Sequence, residues 1–203
     1  MKLALDIYAA GEDVAQSKLK EFLAKRVATY DKNRDIPSIN GTSALSPYLS
    51  AGVLSARQCL AAAMSANNNR LESGINGLVI WISELCWRDF YRNILVAFPR
   101  VCKNKPFKVD TDKLQWKYDE KALQKWKEGK TGYPIVDAGM RQLNATGWMH
   151  NRLRMVTAMF LTKDLLIDWR LGEKYFMENL IDGDFASNNG GWQWVGSSFF
   201  PCD

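Results

Sequence analysis

The 203-residue chain has one histidine and four cysteines, Cys59, Cys86, Cys102 and Cys202, all far apart. With no CxxC pair and a single imidazole, it lacks the ligand set of a structural zinc site, so no metal is expected. The lone histidine, His150, has no evident acid–base partner and reads as structural. No apolar run approaches the roughly 20 residues of a membrane span. The opening Met1-Lys2-Leu3-Ala4-Leu5-Asp6 carries charge inside a short apolar stretch, unlike a secretory signal. Low-complexity tracts and repeats are absent, which excludes a disordered chain and a solenoid. Strand alternation bounded by hairpin turns is absent too. These absences leave a cytoplasmic protein with reduced thiols.

The chain is 47% apolar, enough for one sizeable core, and 27 basic against 22 acidic residues give a net charge of +5. That balance is a mild lean towards polyanions. Eight tryptophans are the unusual number, several of them beside charged or amide residues. Most read as core bulk.

Apolar spacing is helical almost throughout. Leu19, Phe22, Leu23, Val27 and Tyr30 trace one stripe between Gly11-Glu12-Asp13 and the breaker Asp35-Ile36-Pro37. Ser46 is placed to cap a helix with Pro47 in its first position. Ser55 and Gln58 make a capping box, and Asn67-Asn68-Asn69 a loop. A long helix is predicted from about Gly77 to Phe98, stopped by Pro99. Residues 103 to 118 read as irregular, followed by a short helix ending near Gly129. Further helices are predicted from Pro134 to Gly147, over 149–164 and over 172–180, with 182–194 as a polar loop. The expected fold is all-α, one domain over 1–203.

Three places put polar groups where grease belongs. Trp81, Glu84, Trp87, Arg88 and Tyr91 recur at helical intervals, with an acid between two tryptophans. An amphipathic helix with a surface Glu84–Arg88 pair explains the spacing; a buried carboxylate would need other partners. Asn151, Arg154 and Met155 share one face of the next-to-last helix, while Arg152 points elsewhere and suits a phosphate. Asn151 also fits an interior amide bonded to a neighbouring loop. Asp182-Gly183-Asp184 through Trp192 and Trp194 brings acids, amides and glycines together. A structural loop can have that composition, but Asn and Asp also grip ring and ribose edges, and glycine lets backbone approach a ligand. Thr42, Ser43 and Ser46 offer hydroxyls and a helix start to phosphate. A site rich in Asn, Asp, Arg and Trp suits a large planar cofactor that carries the chemistry itself.

Five ordered motifs carry a resemblance: Gly41-Thr42-Ser43-x-Leu45-Ser46-Pro47, Trp81-x-x-Glu84-Leu85-x-Trp87-Arg88-x-Phe90-Tyr91, Gly129-x-Thr131-Gly132-Tyr133-Pro134-x-Val136-Asp137-Ala138, Gly147-Trp148-Met149-His150-Asn151-Arg152-x-Arg154-Met155, and Asp182 to Trp194. Together, from about Tyr30 to Trp194, the chain resembles the flavin-binding helical domain of the DNA photolyase/cryptochrome family, specifically bacterial cyclobutane pyrimidine dimer photolyases. The resemblance implies a lyase in which reduced, U-shaped FAD absorbs light and passes an electron to a thymine dimer flipped out of DNA. It implies a flavin site of Tyr30, Thr42, Ser43, Leu45, Ser46, Trp81, Glu84, Arg88, Trp148, Asn151, Arg154, Asp182, Asp184 and Asn188. It also implies a lesion pocket of Glu84, Trp87, Asn151, Met155 and Trp194, with Arg152 on backbone phosphate. Trp192, Trp169 and Trp116 match the chain of tryptophans that reduces the flavin in light, ordered from flavin to surface.

Asn188 matches the residue beside flavin N5, where an amide suits reduced flavin. Asn151 and Met155 stand where photolyases for (6-4) lesions have histidines, so cyclobutane dimers are the expected substrate and a cryptochrome-like light sensor the alternative. The chain departs from the family in three ways. The N-terminal α/β antenna domain is missing, so no antenna chromophore is expected, and residues 1–29 read as a linker-derived helical region. Residues 195–203 form an atypical tail, as in a truncated product. Ala44 replaces a common arginine. A monomer acting on dimer-containing DNA is expected. A non-catalytic photolyase remnant, and a basic helical nucleic-acid binder without cofactor, are the alternatives from other classes.

Overall fold

The structure, a computed structural model, describes residues 8–196. The opening Met1–Asp6, Cys202 and the tail from residue 197 onwards lie outside the described residues. Among the described residues there is no strand, only an isolated bridge between Lys117 and Ile167, and the fold is all-α as the periodicity predicts.

The chain divides into two compact units, residues 1–89 and 90–203. The first holds α1 (Glu12–Lys25), α2 (Tyr30–Asn33), α3 (Ser46–Ser50), α4 (Ala56–Ala66) and α5 (Asn76–Ala97) as far as Asp89. In α1, Ala15, Leu19 and Phe22 recur on one face and are buried, with Glu12 and Asp13 in the first turn and Lys25 in the last, as the helix dipole favours. Phe22 packs on Tyr30 and Trp81, with ring centroids 5.7 and 5.1 Å apart. Ser55 and Gln58 form the predicted capping box of α4. The predicted cap at Ser46 is not formed. Leu45 occupies the cap position and Ser46 starts α3, with no side-chain cap bond. Ahead of it, Ala44 takes a left-handed backbone (φ 51°).

The second unit holds α6 (Glu120–Glu128), α7 (Pro134–Thr146), α8 (Asn151–Met159), α9 (Trp169–Asn179) and α10 (Phe185–Val195). Asp119 caps α6 and left-handed Gly129 ends it; Pro134 opens α7 and left-handed Gly147 closes it. His150 caps α8, its Nδ1 accepting the Arg152 amide at 3.2 Å, a structural role for the sole histidine. The helix predicted over 149–164 is regular only to Met159. A π turn, Phe160–Asp164, and left-handed Leu166 follow. Helix α9 starts at Trp169, three residues earlier than predicted, because Asp168 caps it.

The largest correction concerns 182–194. Its second part is not a loop but α10, capped by Asp184, whose Oδ1 accepts from the Ser187 amide and hydroxyl at 3.0 Å each. Two glycines lower the helix propensity of this segment by roughly 1 kcal/mol each. Burial of Ala186, Trp192 and Val195 offsets that, at about 1.5–3 kcal/mol for a fully buried large side chain. Gly190 is required for another reason: a Cβ there would collide with the ring of Tyr91. The unit's core gathers Trp126, Trp169, Phe176 and Trp192, with Trp116 partly buried against it.

Candidate functional site

In the second unit, α8, α9, the turn at 180–184 and α10 enclose a cavity of about 140 Å³. Asn151, Arg154 and Met155 line it from α8, sharing one face as their spacing predicts. Asp182, Asp184, Ser187, Asn188, Gly191 and Trp192 line it from the turn and α10. Phe176, Leu180, Ala158 and Val195 supply an apolar wall. The arrangement is polar on one side and greasy on the other, as a planar heteroaromatic ring requires.

Arg154 is fixed at both ends. Its Nε donates to the Met149 carbonyl at 2.8 Å and its Nη2 to Asp182 Oδ2 at 2.7 Å. The Asp182 side chain is only 1% exposed, and its other oxygen, Oδ1, is buried with no hydrogen-bond partner. A buried carboxylate oxygen without a donor is costly unless a ligand brings one. Asp184 is committed to capping and to Arg92, whose Nη2 lies 3.0 Å from Oδ2. Asn188 Nδ2 donates to the Glu173 carbonyl at 2.9 Å, so its oxygen remains as the acceptor end.

Glu173 has no place in the motif reading. It is buried, its Oε1 has no partner, and burial pushes its carboxyl above the usual range against the pull of the Asn188 amide. Its signal was present in sequence: it shares the α9 face of Trp169 and Phe176, an acid on an otherwise apolar stripe. Trp126 is also unanticipated. It is fully buried, 6.0 Å from Trp192 edge to face, and donates from Nε1 to the Thr157 carbonyl.

Other predicted residues fall elsewhere in this unit. Trp148 is half-buried, edge-on to His150 at 6.4 Å, and is not among the cavity-lining residues. Arg152 lies with Nη1 3.3 Å from Met155 Sδ. Trp194 is 37% exposed. Trp192 and Trp169 are buried in one core with half-buried Trp116 at its edge, a buried-to-surface order.

The first unit holds the remaining predicted residues. Glu84 pairs with Arg34 at 2.6 Å, not with Arg88, whose Nη2 donates to the Leu49 carbonyl at 3.0 Å. Tyr30 is buried, and burial followed by the charge of Glu84 pushes its phenol up to about 12. Leu45 and Trp81 are core side chains, whereas Thr42, Ser43 and Ser46 are half-buried. Trp87 is 42% exposed.

Among the described residues no cluster of His, Cys, Asp and Glu could hold a metal, and no helix is long and apolar enough to cross a membrane.

The residues fit part of a flavin: an orphaned buried acceptor at Asp182, an amide at Asn188 and open space over Gly191. The cavity alone is smaller than the roughly 300–1,000 Å³ of cofactor sites. It would enclose part of a dinucleotide, not the whole.

Comparison with known proteins gives the same answer. The deoxyribodipyrimidine photo-lyase of Escherichia coli is 54% identical over 187 residues, which cover 92% of this chain and 39% of that protein. The crystal structure of a bacterial class III photolyase from Agrobacterium tumefaciens has a TM-score of 0.88 at 43% identity, covering 94% of this chain and 39% of that one. The cryptochrome of a Synechocystis species has a TM-score of 0.85 at 33% identity, with the same coverage. The chain thus spans about 40% of the length of the curated relatives it matches. Residues 81–201 match the family described as the FAD binding domain of DNA photolyase. With its all-α fold and its flavin-compatible cavity, this chain belongs to that family.

Proposed function

We propose that this chain holds FAD and serves light-driven repair of cyclobutane pyrimidine dimers in DNA. The observation that carries the reading is the cavity with Arg154 locked to Asp182, a free buried carboxylate oxygen beside it, and Asn188 on its rim. Asp182 Oδ1 would accept a ring N–H or a ribose hydroxyl, and Arg154 would hold that carboxylate in place. Asn188 Oδ1 would accept a proton donor at flavin N5, which favours the reduced form. The chemistry that reduced FAD supplies when bound is a light-driven electron to the dimer, whose cyclobutane ring splits before the electron returns.

Trp87 in the first unit and Trp194 in the second are both exposed, and each would offer a flat apolar face to a nucleic-acid base. Dimers stack and pair weakly, so flipping one costs less than flipping normal bases. Glu84, with Arg34 on one oxygen, would accept from a pyrimidine imide N–H. Asn151, lining the cavity of the second unit, would bond a carbonyl edge. Arg152 would contact backbone phosphate, giving salt-sensitive binding. Trp192, Trp169 and Trp116 would refill the flavin with electrons in light. A cytoplasmic monomer fits this role. The cryptochrome-like alternative is disfavoured by the amide at position 188 and by the higher identity to photolyases than to the cryptochrome.

The test is to purify the chain in the dark, record its visible spectrum, and quantify flavin released by heat. Stoichiometric FAD, followed by loss of dimers from irradiated oligothymidylate under blue light, is the expected result. Absence of flavin after incubation with excess FAD would instead mark a remnant without repair activity.

A further inference from the structure

Arg170 follows the central tryptophan of the proposed electron chain. Its guanidinium carbon lies over the Trp169 ring, 5.0 Å from the centroid, within the range of a cation–π contact. The group is clamped on every edge. Nη1 donates to both Asp168 oxygens at 3.2 and 3.1 Å, Nη2 to Asp112 Oδ1 at 3.0 Å, and Nε to the Asn104 carbonyl at 2.7 Å. Asp112 Oδ2 also accepts from Lys105 Nζ at 3.1 Å, so two cations and two carboxylates balance. A guanidinium cannot lose its proton in a protein, so this charge stays on the ring face. Trp169 is 1% exposed and the Arg170 side chain 26%, so water reaches the contact from the guanidinium side only.

We propose that Arg170 sets the energy of a positive charge on Trp169, making that residue a point of passage for electron transfer and not a resting place. The proposal rests on the electron-chain role given above to Trp192, Trp169 and Trp116. In that sequence a flavin held in the cavity would supply the light-driven oxidising power, and Trp192 would give up one electron and be left as a radical cation. Trp169 refills Trp192, and Trp116 refills Trp169. The Trp116 radical cation loses its indole proton to water, and a soluble thiol then returns a hydrogen atom and becomes a thiyl radical; two such radicals couple to one disulfide. While Trp169 is neutral, the guanidinium is attracted to its π face. Once Trp169 has lost an electron, two positive charges stand 5.0 Å apart and repel. The hole is thereby driven on to Trp116, at the edge of the core. Without Arg170 the two carboxylates would face only Lys105, and Trp169 would become a trap.

The experiment uses the flavin-free chain, oxidised one electron at a time with photogenerated tris(bipyridine)ruthenium(III), and maps oxidised tryptophans by mass spectrometry. The parent is expected to spare Trp169 and to accumulate product at Trp116. In Arg170→Gln, oxidation at Trp169 should rise on the order of ten-fold, as a unit charge at this distance allows. Arg170→Lys, which keeps a cation, should spare Trp169. Equal Trp169 oxidation in parent and Arg170→Gln would overturn the proposal. So would an equal rise in the Lys and Gln variants, since that would report access and not charge. Failure of the electron chain is read separately: in the FAD-loaded chain, Trp169→Phe that photoreduces as fast as the parent sinks the chain, whatever Arg170 does.

Discussion

Asp182 and Arg154 form a pair in which the arginine satisfies one carboxylate oxygen at 2.7 Å and leaves the other buried and unbonded. A protein gains nothing from that vacancy on its own, because an unsatisfied buried acceptor costs about 1–3 kcal/mol. Ligand binding would recover the cost. Asp182→Ala should therefore weaken FAD binding by at least ten-fold while leaving helix content intact. Titration of the flavin-free chain with FAD, alongside far-ultraviolet circular dichroism, checks this. An unchanged affinity would remove Asp182 from the flavin site.

Glu173 gives a pH dependence whose sign is fixed by burial. Its folded-state carboxyl lies above the ordinary 4.5, so between 4.5 and that raised value the folded chain binds more protons than the unfolded one. Stability contributed by the neutral acid is full below 4.5 and is lost as pH rises through the folded value. Glu173→Gln, neutral at every pH, should melt higher than the parent at pH 7, with the gap closing towards pH 4. Parallel thermal melts across that range decide it. A constant gap would mean that the Glu173 carboxyl titrates alike in the folded and unfolded chain.

Close packing at Gly172 makes another substitution informative. A Cβ there would strike the Trp192 ring and approach Leu161 Cδ2 to 2.6 Å. In an open helix, Gly→Ala gains about 1 kcal/mol; here overpacking of roughly 1–3 kcal/mol opposes it and wins. Gly172→Ala should lower the melting temperature and shift tryptophan emission as Trp192 moves. A higher melting temperature would show that α9 can retreat from the ring without cost.

The parts of this fold that were legible in sequence are those governed by local rules. The Ser55–Gln58 box, Pro134, Gly129 and Gly147 set helix ends through capping and backbone geometry within a few residues. Asn151, Arg154 and Met155 were legible as one face because helical spacing is rigid. Helix α10 was not, since Asn188-Asn189-Gly190-Gly191 has poor propensity and its helix is paid for by tertiary burial against Tyr91 and the tryptophan core. The partner of Glu84 was likewise out of reach: Arg34 lies fifty positions away in sequence, and only folding brings it nearer than Arg88. The roles of Glu173 and Arg170 depend on burial and on contacts from distant segments, which no motif spacing encodes.

Trp192 stands in two roles that a single substitution can separate. It lines the cavity, and it is also core, packed edge to face with Phe176 at 5.0 Å and Trp126 at 6.0 Å. Trp192→Phe keeps an apolar ring and should cost about 1–3 kcal/mol in stability through the space it leaves. As the first electron donor in the proposed chain, its loss should abolish flavin photoreduction in the presence of thiol. Repair by chemically reduced flavin should persist, because that electron comes from the flavin and not from Trp192. Flavin bleaching under blue light and dimer loss after dithionite reduction, measured on the same preparation, resolve the two. Undiminished photoreduction would move the first donor elsewhere, and Trp126, buried beside the same ring, would be the residue to replace next.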